Sequence, residues 1–167
     1  EYYTSIHDAI ECPVYGYEIP GVYHFEPEVT ASLGKLDRFI GIKDTSTRGD
    51  IPPAEAIAPV EAKLAAANGT VKIMQANTAR LLDSFEIGCT GAINQVANVA
   101  SSLLVKMHEL WEAGEMEQAR ALQLKINEID RIEHEGFVMS AKMGLAAMGF
   151  DIGPTCRPQK GEYTRIS

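Results

Sequence analysis

Residues 38–47 read RFIGIKDTST: a short apolar run that ends on a lysine, Lys43, followed by Asp44 and three hydroxyl residues. An apolar run of this length without clean alternation fits a strand covered on both faces, as in a parallel sheet. An ammonium at the end of such a strand has two readings. It is paired with a neighbouring acid such as Asp44, or it is an amine held in the protein to attack a carbonyl. Side chains alternate along a strand, so Phe39, Gly41 and Lys43 are expected to share one face and Ile40 and Ile42 the other. With the isoleucines against helices, Lys43 faces the opposite side, and Gly41 leaves space beneath it.

Outward from this strand, the pattern alternates. Upstream, residues 13–20 (PVYGYEIP) read as a strand entered by Pro13 and stopped by Pro20, because proline removes a ladder donor. Residues 2–10 read as the end of a helix, and residues 27–36 as a short helix with Pro27 in its first turn. Downstream, residues 50–69 form a helix with prolines at its start, a bend at Pro59 and a stop at Gly69. Strands are expected at 70–76 and 91–97, with a helix at 77–88 between them. Beyond them the pattern is helical only. Leu103, Met107, Leu110 and Trp111 form one stripe, ended by Gly114, and Ala119, Leu122, Ile126 and Ile129 form a second, broken at Gly136. A last short helix covers 142–150.

Strands alternating with helices of this length imply βαβ units and a parallel sheet, hence the α/β class. An open doubly wound sheet and a part of a (β/α)8 barrel both satisfy the order. No G-x-G-x-x-G or G-K-[ST] follows a strand, so nucleotide binding lacks its usual support. Four strands are half of a barrel, which takes roughly 250 residues. The chain also opens inside a helix, so the expectation is a piece of a longer chain.

Composition narrows the function. The chain has 167 residues, 46% hydrophobic and 23% charged, with a net charge of -8. That charge argues against a general nucleic-acid binder, which needs clustered Lys and Arg. The apolar runs fall short of the roughly 20 residues of a membrane helix, and no signal peptide is visible. Cys12, Cys89 and Cys156 are odd in number and form no C-x-x-C pair, which fits a reducing, cytoplasmic compartment. His7, His24, His108 and His134 are scattered, so neither a metal nor a cofactor is expected.

Tyr17 falls at the carboxyl end of the first strand and Lys43 at that of the second, the end where ligands bind in this class of fold. A lysine amine is a nucleophile only when unprotonated, and removal from water favours that form. It then condenses with a ketone to an iminium, an electron sink for making or breaking C–C bonds, and a nearby tyrosine hydroxyl can shuttle the protons. Taken singly, such a lysine is more often solvated or paired, and such a tyrosine more often a core aromatic. Their pairing on adjacent βα units favours a site.

These residues resemble the pyruvate-dependent class I aldolases and lyases typified by dihydrodipicolinate synthase and N-acetylneuraminate lyase. GIKDTS (41–46) resembles the family's Schiff-base strand, G-[IV]-K-[DE]-[STA]-[ST], with Lys43 on its lysine. YEIP (17–20) resembles Y-N-[IV]-P, with Tyr17 on the catalytic tyrosine. LLDSFEIGCTGAINQVANVA (81–100) resembles the segment around the last barrel strand, WEAGEMEQARALQ (111–123) the helices after the barrel, and CRPQ (156–159) an R-x-P near the C-terminus. The resemblance covers nearly the whole chain. It implies the C-terminal half of a (β/α)8 barrel, strands five to eight, over residues 1–100, and a helical region packed on it over 101–167. It implies a lysine Schiff base with pyruvate or another 2-oxo acid and an aldehyde as second substrate. A dehydratase of 2-oxo sugar acids and a non-catalytic family member remain alternatives. A homodimer or homotetramer is the family's precedent.

Departures are informative. The threonine pair that holds the pyruvate carboxylate belongs to the first four strands, so this chain alone is expected to be inactive. Glu18 stands where Asn is usual, and Asn94 where many members have serine. Val22 stands where the synthases carry an arginine for a substrate carboxylate, a contact valine cannot make. Ala76 replaces a common glycine. Val22, Ala76 and Ile93 are the residues expected to line the substrate pocket.

Overall fold

The computed structural model describes residues 1–19, 21–47 and 49–153. Cys156 and the CRPQ segment lie outside the described residues, as does Pro20. The chain divides into two compact units, Glu1–Asn94 and the helical remainder from Gln95.

The first unit holds a four-stranded sheet of β1 (Val14–Tyr17), β2 (Phe39–Asp44), β3 (Lys72–Gln75) and β4 (Gly91–Ala92), with every pair parallel. The strands lie in the order β1-β2-β3-β4. A doubly wound sheet reverses its strand order at a switch point. Here each crossover moves one place in the same direction, as successive strands of a barrel do. The helices are α1 (Tyr2–Ala9), α2 (Pro27–Leu33), α3 (Pro53–Ala67) and α4 (Leu81–Glu86). Prolines open α2 and α3, where the missing N–H costs nothing. Pro59 lies inside α3, and the helix closes on Asn68 in the left-handed region, φ 46°, with Gly69 following at φ 81°. The turn before α4 is a 3-10 turn, Thr78–Arg80, in which the Ala79 amide donates to Asn77 Oδ1 at 3.1 Å.

The alternation expected in β2 fails at Phe39. Val14 pairs with Phe39 but Tyr15 pairs with Gly41, so β2 carries one extra residue there. Such a bulge turns the following side chains over. Phe39 therefore joins Ile42, Val14, Phe25, Leu33, Ala67 and Val71 in the helix-side core. Gly41 has a different task from the one expected. A Cβ at Gly41 would sit 2.2 Å from the Tyr15 ring, so the glycine admits that ring rather than leaving an empty space.

In the second unit, α5 (Ala97–Glu112), α6 (Met116–Gly136) and α7 (Val138–Ala147) pack on one another. Ala100 has non-helical angles, φ -130° and ψ 30°, which marks a kink in the first turn of α5. Met107, Leu110, Ala119 and Ile126 are buried, the centres of the two apolar stripes. Gly114, at φ 76°, turns the chain between α5 and α6. The α6–α7 break falls on Phe137, at φ 48°, one residue after the glycine expected to cause it.

Candidate active site

Two polar rows meet at the carboxyl ends of the strands, one on each face of the sheet. The register sets Tyr17 beside Lys43, Lys43 beside Met74, and Met74 beside Gly91. On this face Tyr15 and Tyr17 are exposed and Lys43 is half-buried. The Lys43 Nζ lies 4.2 Å from the centroid of the Tyr17 ring. The amine thus stands against an aromatic face, a favourable place for a cation, beside a phenol that can donate or accept a proton. The Glu18 amide donates to the Lys43 carbonyl at 3.0 Å, which fixes the strand pairing at this point. Met74 fills the next place, and Gly91 leaves room for it, since a Cβ there would meet its Cε at 3.0 Å.

One residue further along each strand, alternation sends the side chains to the helix face. Glu18, Asp44 and Gln75 are fully buried there. Lys63, from α3, donates to Asp44 Oδ2 at 2.6 Å and to Glu18 Oε2, and is itself almost entirely buried. Asp44 Oδ1 also accepts from the Ser46 amide at 2.8 Å and from its hydroxyl at 2.7 Å. His24 Nδ1 lies 2.6 Å from Glu18 Oε1, and Thr45 Oγ1 donates to the Glu18 carbonyl at 2.7 Å. Burial pushes the Glu18 carboxyl above the usual carboxylate range. Hydrogen bonds from Lys63 and His24 pull it back, and the nearby Asp44 charge adds to the rise. Gln75 accepts from Thr47 Oγ1 at 3.0 Å and the Asn77 amide at 2.7 Å, and donates to Ser84 Oγ at 2.7 Å.

Lys43 and Tyr17 are therefore brought together as a pair. Ala76 and Ile93 follow β3 and β4 at the same strand ends, with amides donating to the Asp44 and Gln75 carbonyls, both at 2.9 Å. Val22 sits 75% exposed in a turn closed by the Ile19–Tyr23 bridge, with Gly21 at φ 72°. Its neighbour Tyr23 lines a cavity of about 470 Å³ with Tyr17, Tyr2, Tyr3, Ile19 and Val29. Lys63 and Gln75 were missed from sequence. Lys63 carries a signal nonetheless: it falls on the buried stripe Ala56, Val60, Lys63, Ala67 of α3, a place that helical spacing reserves for apolar residues. Among the described residues no cluster of His, Cys, Asp and Glu could hold a metal, and no helix is long and apolar enough to cross a membrane.

The sequence model of the dihydrodipicolinate synthetase family matches residues 1–165. An uncharacterized DapA-like lyase of Halobacterium salinarum is 32% identical over 164 residues, covering 96% of this chain and 51% of that protein. A 4-hydroxy-tetrahydrodipicolinate synthase of Hyphomonas neptunium is 30% identical over 165 residues, covering 94% and 52%. Among solved structures, the chloride-inhibited dihydrodipicolinate synthase of Acinetobacter baumannii, complexed with pyruvate, superposes with a TM-score of 0.74 at 25% identity, covering 89% and 49%. The chain thus spans about half the length of these relatives, and its fold is the C-terminal half of a (β/α)8 barrel followed by a helical extension. With the four strands in barrel order and the family model matched over nearly the whole chain, the chain belongs to the dihydrodipicolinate synthetase family.

Proposed function

We propose that the full-length protein is a pyruvate-dependent class I aldolase or lyase that works through a Schiff base on Lys43. The observation that carries this reading is the Lys43 amine held 4.2 Å from the Tyr17 ring at the carboxyl ends of parallel strands. The unprotonated amine adds to the carbonyl carbon of a 2-oxo acid. The carbinolamine then loses its hydroxyl as water and leaves an iminium. That iminium withdraws electrons from the adjacent carbon, which gives up a proton to become an enamine. The enamine attacks an aldehyde carbonyl, and water releases the product and restores the amine. Tyr17 is the proton carrier in these steps, since its ring packs against the Lys43 amine and its phenol is a group of the right kind to give and take a proton.

The test is Tyr17→Phe in the full-length protein. As a proton carrier, Tyr17 predicts a loss of about 10²–10⁴ in kcat, with pyruvate adduct still formed. A variant within two-fold of wild type in kcat would leave Tyr17 as a packing partner of Lys43 with no part in proton transfer.

A further inference from the structure

We infer that Lys63, acting through Glu18 and Asp44, is a positioning residue for the Tyr17–Lys43 pair. The inference rests on the assignment of those two residues to the reaction. Glu18 and Asp44 are the residues immediately after Tyr17 and Lys43, and their carboxylates are fully buried on the opposite face of the sheet. One ammonium on α3 binds both: Lys63 Nζ donates to Asp44 Oδ2 at 2.6 Å and to Glu18 Oε2. The last turns of β1 and β2 are thereby tied to each other and to a helix. Because successive residues of a strand turn rigidly together, a shift of either carboxylate carries the neighbouring reacting side chain with it. The family resemblance places Asn at position 18; here a carboxylate stands there, and a buried lysine faces it.

The charges make the tie necessary. Two buried carboxylates share Lys63, with His24 as a second partner of Glu18 at the rim. Without the Lys63 ammonium the two acids face each other with too little compensation, and they part or take up a proton. Buried ion pairs add little net stability against apolar replacements of similar volume, so holding a geometry is the better account of their presence. A displacement of about 1 Å at reacting atoms costs on the order of 10² in rate.

The experiment compares the full-length wild type, Lys63→Met and Glu18→Gln/Lys63→Met, well below their melting temperatures and per folded molecule. Lys63→Met is expected to lose about ten-fold or more of kcat, with KM for pyruvate within about two-fold, and its crystal structure to show the Lys43–Tyr17 separation widened. The double variant has one buried charge fewer and is expected to recover part of the kcat. Should Lys63→Met not fold, Glu18→Gln carries the same reading, a lowered kcat at unchanged KM. Wild-type kcat in a merely less stable Lys63→Met, or a double variant no better than the single, overturns the inference. If the wild type forms no pyruvate adduct, the proposed function falls separately. The crystal structure still decides: an unchanged Lys43–Tyr17 separation in Lys63→Met refutes positioning, and a widened one upholds it.

Discussion

Position 22 bears on which aldehyde the proposed reaction would take. Val22 is exposed at the turn after β1, and Tyr23 beside it lines an aromatic cavity adjoining Tyr17. An aldehyde bearing a carboxylate finds no guanidinium at position 22, so aspartate semialdehyde is expected to be a poor substrate and an uncharged or bulky aldehyde a better one. A panel of aldehydes assayed with pyruvate checks this, and highest kcat/KM with aspartate semialdehyde contradicts it. The thiols offer a second check. Burial, with help from the Asp44 charge, pushes the Cys89 thiol up to about 12, offset only by a hydrogen bond with Ser84. At pH 8 about one molecule in 10⁴ then carries the thiolate. Alkylation of the native protein is expected to label Cys12 and spare Cys89, and denaturant should expose Cys89. That Tyr17 and Lys43 meet at the ends of adjacent strands was legible in the sequence, because each closes an apolar strand run. Lys63 was not, because a lysine in the Ala- and Glu-rich stretch 54–66 reads as a solvated helix residue unless its place on the buried stripe is noticed.

Element boundaries followed local chemistry where proline, glycine or a long stripe set them, and departed where pairing decided. α2 and α3 begin at their prolines, and Met107, Leu110, Ala119 and Ile126 bury the expected stripes. Strand β4 is only Gly91–Ala92, because the chain leaves the ladder after Ile93 toward α5. The bulge that turns Phe39 toward the helices is a property of the β1–β2 register and has no signature in the residues of β2 alone. A pH-dependent link joins α1 to the loop before β2. His7 Nδ1 lies 2.9 Å from Asp8 and Nε2 2.6 Å from Asp37. Hydrogen bonds to Asp8 and then Asp37 raise the His7 pKa, while the bond to His7 lowers that of Asp37. The raised histidine stabilises the fold fully below its unfolded value of about 6.5, and this is lost as pH rises through the folded value. The lowered Asp37 stabilises above its unfolded value of about 3.9, and this is lost as pH falls. The Tm advantage of wild type over His7→Gln is therefore expected to peak between about pH 4 and 6.5 and to shrink on either side. An advantage that grows steadily toward pH 9 contradicts the assignment.

At the scale of the molecule, the sheet presents Tyr15, Tyr17 and Lys43 on one face and buries a carboxylate–ammonium network on the other. The barrel order of the strands was legible from the βαβ pattern and the family motifs, whereas the network depends on side chains brought together from β1, β2 and α3. The chain covers about half the length of its relatives, 51% in the DapA-like lyase, so the decisive chemistry belongs to the full-length protein. The central claim is that Lys43 forms a covalent imine with a 2-oxo acid. Reduction with borohydride in the presence of pyruvate, followed by mass mapping of the peptides, tests it most directly. The expected result is one reduced pyruvate adduct on the peptide carrying Lys43, absent from Lys43→Ala. An adduct on a different lysine, or one in Lys43→Ala at the wild-type level, contradicts it.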